Sequence, residues 1–169
     1  MQPSSLSRGA AWSKVLAPLA CAALIACGSK PPPPPPAPPP PTVVEARLVT
    51  TAALNPDLNG RPSPVVVRVY ELKSTAAFDS ADFFSLWDKD QGTLGPEMIS
   101  RDEYSMTPNE EKKFERRPES KAVLPYLGVV AAFRDIEHTR WRASFAVPPN
   151  KTTALTIKLD AGGVSVESK

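Results

Sequence analysis

The sequence predicts an all-β fold, a two-sheet antiparallel sandwich with one short inserted helix. Three observations carry that prediction: residues 43–169 have a dominant hydrophobic period of two, they divide into seven or eight short apolar runs, and no βαβ alternation links those runs. In residues 43–50, Val44, Ala46 and Leu48 share one face while Glu45 and Arg47 take the other. The next strand places Val65, Val67 and Val69 on one face and Val66, Arg68, Tyr70 and Leu72 on the opposite one. A helix over residues 80–88 follows, with Asp79 or Ser80 as its cap and Phe83, Phe84 and Trp87 as an apolar stripe directed at the core.

Residues 98–106 and 112–117 are weaker strand candidates. In the second, Lys112, Lys113, Arg116 and Arg117 surround Phe114, the composition of an edge strand whose charges oppose edge-to-edge aggregation. A phosphate-binding patch is the sharper alternative, but Glu110, Glu111, Glu115 and Glu119 interleave with those cations. Residues 127–134 are apolar on both faces until Arg134, as a central strand covered on both sides requires. Trp141, Ala143, Phe145 and Val147 alternate with Arg140, Arg142 and Ser144 in a half-buried strand. Leu155, Ile157 and Leu159 repeat that pattern, and Val164 to Val166 add a short last strand after Gly162-Gly163.

The amino terminus is organised differently. Arg8 and Lys14 precede the apolar run Val15 to Ala26, the length of a signal-peptide core and too short for a comfortable membrane-spanning helix. The run closes in Leu24-Ile25-Ala26-Cys27, which resembles the lipobox of bacterial lipoproteins. Residues 1–26 are therefore expected to be cleaved as a lipoprotein signal peptide, leaving Cys27 acylated as the first residue. Several acyl chains anchor a protein stably where one does not. Cys21 lies inside the leader, so neither a disulfide nor a thiolate metal site is expected in the mature chain. Residues 27–42 form the lipidated start and a linker, in which all of 31–41 except Ala37 is proline. Polyproline II geometry makes that tract a semi-rigid spacer of roughly 34 Å. The folded β-sandwich domain is expected to occupy residues 43–169.

Composition narrows the function. The 169 residues carry 20 Lys+Arg against 18 Asp+Glu, and removing Arg8 and Lys14 evens the two counts at 18, which gives no case for a nucleic-acid partner. His138 is the only histidine, so a histidine-based metal cluster is excluded, and the turn Asp135 to Thr139 around it looks structural. Asp88-Lys-Asp90-Gln-Gly92 lacks the third ligand and the distal glutamate of a calcium loop, and reads as the solvated end of the helix. Asp102 and Glu103, adjacent in a strand, point to opposite faces and cannot share acid–base work. With no phosphate-cradling Gly-rich loop and no nucleophile–base pair, the chain reads as a binding or structural protein. No enzyme activity, cofactor, metal or small-molecule substrate is expected.

Several segments look familiar together: the lipobox leader; Leu54-Asn-Pro-Asp-Leu-Asn-Gly-Arg-Pro-Ser-Pro-Val-Val-Val-Arg-Val-Tyr-Glu-Leu72; Ala81-Asp-Phe-Phe-Ser-Leu-Trp87; Arg101-Asp-Glu-Tyr104; Tyr126-Leu-Gly-Val-Val-Ala-Ala-Phe-Arg-Asp135; and Trp141-Arg142. Across roughly residues 45–160 they resemble the outer-membrane lipoprotein subunit of bacterial type VI secretion systems, the TssJ/VasD/SciN family. The resemblance implies a transthyretin-like sandwich. It also implies a tether at the periplasmic face of the outer membrane that binds the periplasmic domain of the large inner-membrane subunit TssM. Gly28, in place of the aspartate that retains lipoproteins in the inner membrane of enteric bacteria, agrees with an outer-membrane destination.

The expected contact surface is the loop from Ala53 to Pro64, rich in turn formers and in prolines that fix its shape, with Asn55, Asp57, Leu58, Asn59 and Arg61 as the partner-binding residues. A plain stiff connection between strands is the competing reading of that loop. At the level of the whole protein, the alternative is a pilot or assembly-chaperone lipoprotein that carries another outer-membrane component on an exposed edge strand.

Overall fold

The computed structural model describes residues 35–117 and 124–168. The leader, Cys27, the first prolines of the tract and Glu119 lie outside the described residues. Among the described residues, eight strands form two four-stranded sheets. The first has the order β4(Glu111–Arg116), β1(Val43–Thr50), β7(Thr152–Asp160), β8(Gly163–Ser168). The second has the order β3(Met98–Met106), β2(Val65–Leu72), β5(Tyr126–Ala131), β6(Arg142–Ala146). This is the expected two-sheet sandwich, with one departure from antiparallel pairing. β1 and β7 run parallel, in register from Val43↔Thr152 to Thr50↔Leu159.

Strand alternation explains the main core. Val44, Ala46 and Leu48 of β1 and Leu155, Ile157 and Leu159 of β7 meet Val65, Val67 and Val69 of β2 and Leu127, Val129 and Ala131 of β5 between the sheets. The opposite face of the second sheet is also buried: Tyr70, Leu72 and Val130 pack under a layer of short helices. That accounts for the two-faced apolar character of β5. Gly128 is part of the fit, since a Cβ there would lie 2.8 Å from two ring carbons of Phe78. One flank of the sandwich closes where Gly163, at φ 125°, bridges Arg140. A side chain on Gly163 would stand 2.3 Å from the Arg140 carbonyl oxygen.

The single helix expected over 80–88 is three short helices, α1(Ala76–Ser80), α2(Phe83–Asp88) and α3(Asp90–Leu94), followed by a 3₁₀ turn at Gly95–Glu97. Neither Asp79 nor Ser80 is the cap. Asp82 accepts from the Ser85 N–H at 3.0 Å and the Ser85 hydroxyl at 2.6 Å, which holds its carboxyl below the ordinary 3.8. The apolar stripe is shifted accordingly: Phe83 and Leu86 are buried, Trp87 is half-buried, and Phe84, expected in the core, is 63% exposed. In a helix of 100° per residue, the face centred on Phe83 takes in 86 and 87 and leaves 84 at its margin. Asp90, read as solvated, is 6% exposed; it starts α3, pairs with Arg101 and lies 3.4 Å from the Tyr70 hydroxyl. Burial pushes that phenol up to about 12.

Side chains from the second sheet satisfy the ends of these helices. Arg142 donates to the carbonyls of Phe78 at 2.9 Å and Ala81 at 2.6 Å. Tyr70 donates to the Leu86 carbonyl at 3.3 Å, and Arg68 to that of Trp87 while its guanidinium lies 3.9 Å above the Trp87 ring. Helices of five or six residues leave most of their carbonyls without internal partners, so these donors make the layer possible.

The charged strand at 112–117 is an edge strand, as expected, and its cations are internally paired: Lys112 with Glu110, Lys113 with Glu111, Arg117 with Glu115. Arg116 points between the sheets, joins Glu71 at 3.2 Å and Asp102, lies over the ring of Phe114, which stacks on Tyr104, and donates to the Tyr104 hydroxyl at 3.2 Å. Glu103, the neighbour of Asp102, faces the other way and pairs with Arg68 at 2.9 Å.

A candidate docking groove between two loops

The loop between β1 and β2 is built on Leu54, which has no exposed surface and belongs to the main core. Backbone bonds from Leu54 to Thr51 and from Ser63 to Leu54 fasten both its sides. Asp57 then organises the tip. Its Oδ1 accepts the N–H groups of Asn59 and Arg61, each at 2.9 Å, and its Oδ2 accepts the Arg61 Nε at 2.9 Å. These partners, the Arg61 N–H foremost, hold the Asp57 carboxyl below the ordinary 3.8. Residues 57–61 therefore form a closed turn that displays Leu58 fully exposed at its apex.

Asn55 is the main correction to the expected contact residues. Expected at the surface, it is 3% exposed, with φ at 44°. Its Nδ2 donates to the Pro64 carbonyl at 2.7 Å, and its Oδ1 accepts the Arg134 N–H at 2.8 Å. An amide carries both a donor and an acceptor, so one side chain ties the two ends of this loop to the loop between β5 and β6. Asn59 and Arg61 are exposed as expected, although the Arg61 guanidinium already serves Asp57.

The turn Asp135 to Thr139 forms the opposite wall. Thr139 donates its N–H to the Asp135 carbonyl at 3.1 Å, and Asp135 Oδ1 lies 2.8 Å from His138 Nδ1. That hydrogen bond raises the imidazole above its ordinary 6.5 and lowers the carboxyl. Between the walls runs a groove of about 840 Å³ lined by residues 55–59, 133–135, 138, 139 and 161, with Phe133 and Leu58 supplying apolar surface. Residues 135–139, expected as a structural turn, are also one wall of this groove, a juxtaposition that is tertiary. Its one local signal was Arg134 interrupting an apolar run. A second, smaller depression of about 520 Å³ lies on the first sheet among Glu45, Arg47, Lys113, Glu115 and Thr156.

Among the described residues, no three His, Cys, Asp or Glu side chains are placed to hold a metal ion. The Thr139 hydroxyl, close to His138 in sequence, donates to the Asp135 carbonyl at 2.5 Å, which directs its proton away from the ring. The arrangement is suited to binding: a rigid loop with an apolar tip, facing a charged turn across an open groove.

Comparison with known proteins agrees with this architecture. The chain matches the TssJ1 lipoprotein of the type VI secretion system from Pseudomonas aeruginosa with a TM-score of 0.73 and 38% identity, covering 77% of this chain and 98% of that one. It shares a fold with Serratia marcescens Lip, a membrane-bound component of the type VI secretion system, at TM-score 0.67 and 24% identity, over 75% of this chain and 97% of the other. A structure described as the TssM C-terminal domain from EAEC contains a chain of this fold, at TM-score 0.60 and 23% identity over 73% of this chain and 99% of that chain. No curated protein is a significant match. Residues 42–162 match the T6SS-SciN family model, described as type VI secretion lipoprotein, VasD, EvfM, TssJ. That span takes in β1 to β7, the helical layer and both walls of the groove, and stops just before β8. The chain belongs to the type VI secretion lipoprotein family.

Proposed function

We propose that the protein tethers the periplasmic region of the large inner-membrane subunit TssM to the outer membrane, using the β1–β2 loop as its contact. In this reading residues 1–26 are removed, Cys27 carries the lipid at the periplasmic face of the outer membrane, and the proline tract through residue 41 sets the standoff of the 43–169 domain. The observation that carries it is the loop itself: Asp57 and Asn55 hold it rigid while Leu58 is left fully exposed at the tip. A preorganised apolar tip lowers the ordering cost of association, which is a use that a plain connection does not require. Family membership supports the reading, and so does the naming of TssM in the description of a structure with this fold.

Calorimetry with the full lipoprotein in detergent and the purified periplasmic fragment of TssM from the same secretion system tests the contact. Leu58→Asp should weaken binding by at least about tenfold, since exposed tips that enter a partner pocket behave as anchors. An unchanged affinity would move the contact off this loop. The anchor is tested separately by Cys27→Ser, which should remain an unprocessed precursor lost from the outer-membrane fraction after a carbonate wash. Retention there would contradict acylation at Cys27.

A further inference from the structure

The groove holds three charged side chains besides the Asp57 of the loop tip, and they are not equivalent. Asp57 is held by Arg61 and two backbone N–H groups, and Asp135 by the His138 ring at 2.8 Å and the His138 N–H at 3.2 Å. Arg134 lines the same groove, and its backbone N–H is fixed by Asn55 at 2.8 Å. Among the described residues its guanidinium makes no ion pair within 4.0 Å, although the charge is near enough to help lower Asp57. An arginine whose backbone is pinned while its head is left without a carboxylate presents five donors in a fixed fork.

We propose that Arg134 makes the β5–β6 loop the second half of the docking surface, and that the groove receives an acidic segment of the protein partner, a carboxylate meeting Arg134 while Leu58 enters an apolar pocket beside it. This rests on the tethering role proposed above and adds the chemistry of the occupant. Charge complementarity selects a carboxylate, because both acidic groups of the groove are already engaged within the fold and the guanidinium is not. Asn55 acts as a positioning residue: it bonds both loops, so the distance from Leu58 to Arg134 is set before the partner arrives.

The test uses the full lipoprotein in detergent and the purified periplasmic fragment of TssM, with binding followed as a function of salt. Arg134→Glu should weaken binding at least about tenfold at low salt and flatten the salt dependence, while the melting temperature stays at the parental value. Arg134→Lys should recover part of the loss, because charge is retained and the bidentate fork is not. If Leu58→Asp weakens binding and Arg134→Glu does not, the tether stands and the acidic occupant is wrong. Should neither variant weaken binding, the contact lies off both loops and the acidic occupant of this groove is wrong. An anionic lipid headgroup is the rival source of negative charge, and vesicles containing phosphatidylglycerol address it. Loss of vesicle binding by Arg134→Glu with TssM binding unchanged would overturn the proposal.

Discussion

Two charged regions of this molecule, the β4 edge and the groove between the β1–β2 and β5–β6 loops, look alike in sequence and differ in structure. Along β4 each cation has a carboxylate within the fold, and Arg116 is inserted between the sheets where Glu71 and Asp102 meet it. At the groove, polar groups are satisfied mainly by backbone, and what remains is an apolar tip at Leu58 and a guanidinium at Arg134. The difference separates charge used to close a sandwich from charge held ready for another molecule. It also argues against docking along the β4 edge, because a strand added there would have to lie beside a row of ion pairs.

Asn55→Ala should have the largest effect and the broadest one. It strands the Pro64 carbonyl and the Arg134 N–H and places a residue with a Cβ but no local side-chain compensation at φ 44°. Both bonds are only part-buried, so each costs about 1 kcal/mol to lose, and with the strain of alanine at that φ chemical denaturation should register a loss of roughly 2–3 kcal/mol. Binding of the TssM fragment should fall further than the folded fraction does. If stability drops and affinity among folded molecules is unaltered, Asn55 is a fold residue only.

Arg116→Ala sharpens the comparison from the other side. Glu71, whose side chain is 17% exposed, loses its partner, Phe114 loses the cation over its ring and the Tyr104 hydroxyl loses a donor. A loss of about 1–3 kcal/mol is expected on denaturation, with affinity for the TssM fragment unchanged. Weakened binding at full folding would show that the β4 edge is also a contact. Glu71→Gln should give a smaller loss, because the amide oxygen still accepts from Arg116.

Most of the sandwich was readable because burial on one face imposes alternation, and Val65, Val67 and Val69 or Leu155, Ile157 and Leu159 announce their inward face directly. Partner choice between strands leaves no such mark. Nothing local to Val43–Thr50 says that it runs parallel to β7, since register across more than 100 residues is settled by the assembled core. The helical layer was misjudged for a related reason. Phe84 and Phe83 are equivalent in composition, and only the direction from which Tyr70 and Val130 meet α2 leaves one buried and the other exposed. Arg142 looked like a solvent-facing residue in an alternating strand, yet it caps two carbonyls of the helix layer.

The site divided along the same line. Leu58 and Arg61 were legible as exposed because a turn rich in Asp, Asn and Gly projects its remaining side chains outward. Asn55 was not, because an asparagine before proline initiates a turn equally well whether its amide meets water or two distant backbone groups. The pairing of residues 55–59 with 133–139 is purely tertiary.

The smallest expected effect is at His138, and its value lies in being unambiguous, since the chain has one histidine. The hydrogen bond to Asp135, with that carboxylate's charge, raises the imidazole above 6.5 and lowers the carboxyl below 3.8. A raised imidazole contributes stability that is complete below pH 6.5 and lost as pH climbs through the raised value. A lowered carboxyl contributes above pH 3.8 and loses that share as pH falls through its lowered value. The pair is therefore at full strength between those limits, but both groups are exposed, so melting temperatures at pH 5.5 and 8 should differ little from this cause. Nuclear magnetic resonance is the sensitive readout. The His138 ring should titrate above 6.5 in the parent and return to the ordinary range in Asp135→Asn, because both leading causes of the rise come from Asp135 and desolvation outweighs the pull of Glu137. A parental midpoint at or below 6.5 would mean that the pair is not formed in solution. Asp135 would then be an unheld carboxylate in the groove, and the inequality between Arg134 and its acidic neighbours, on which the choice of an acidic occupant rests, would be lost.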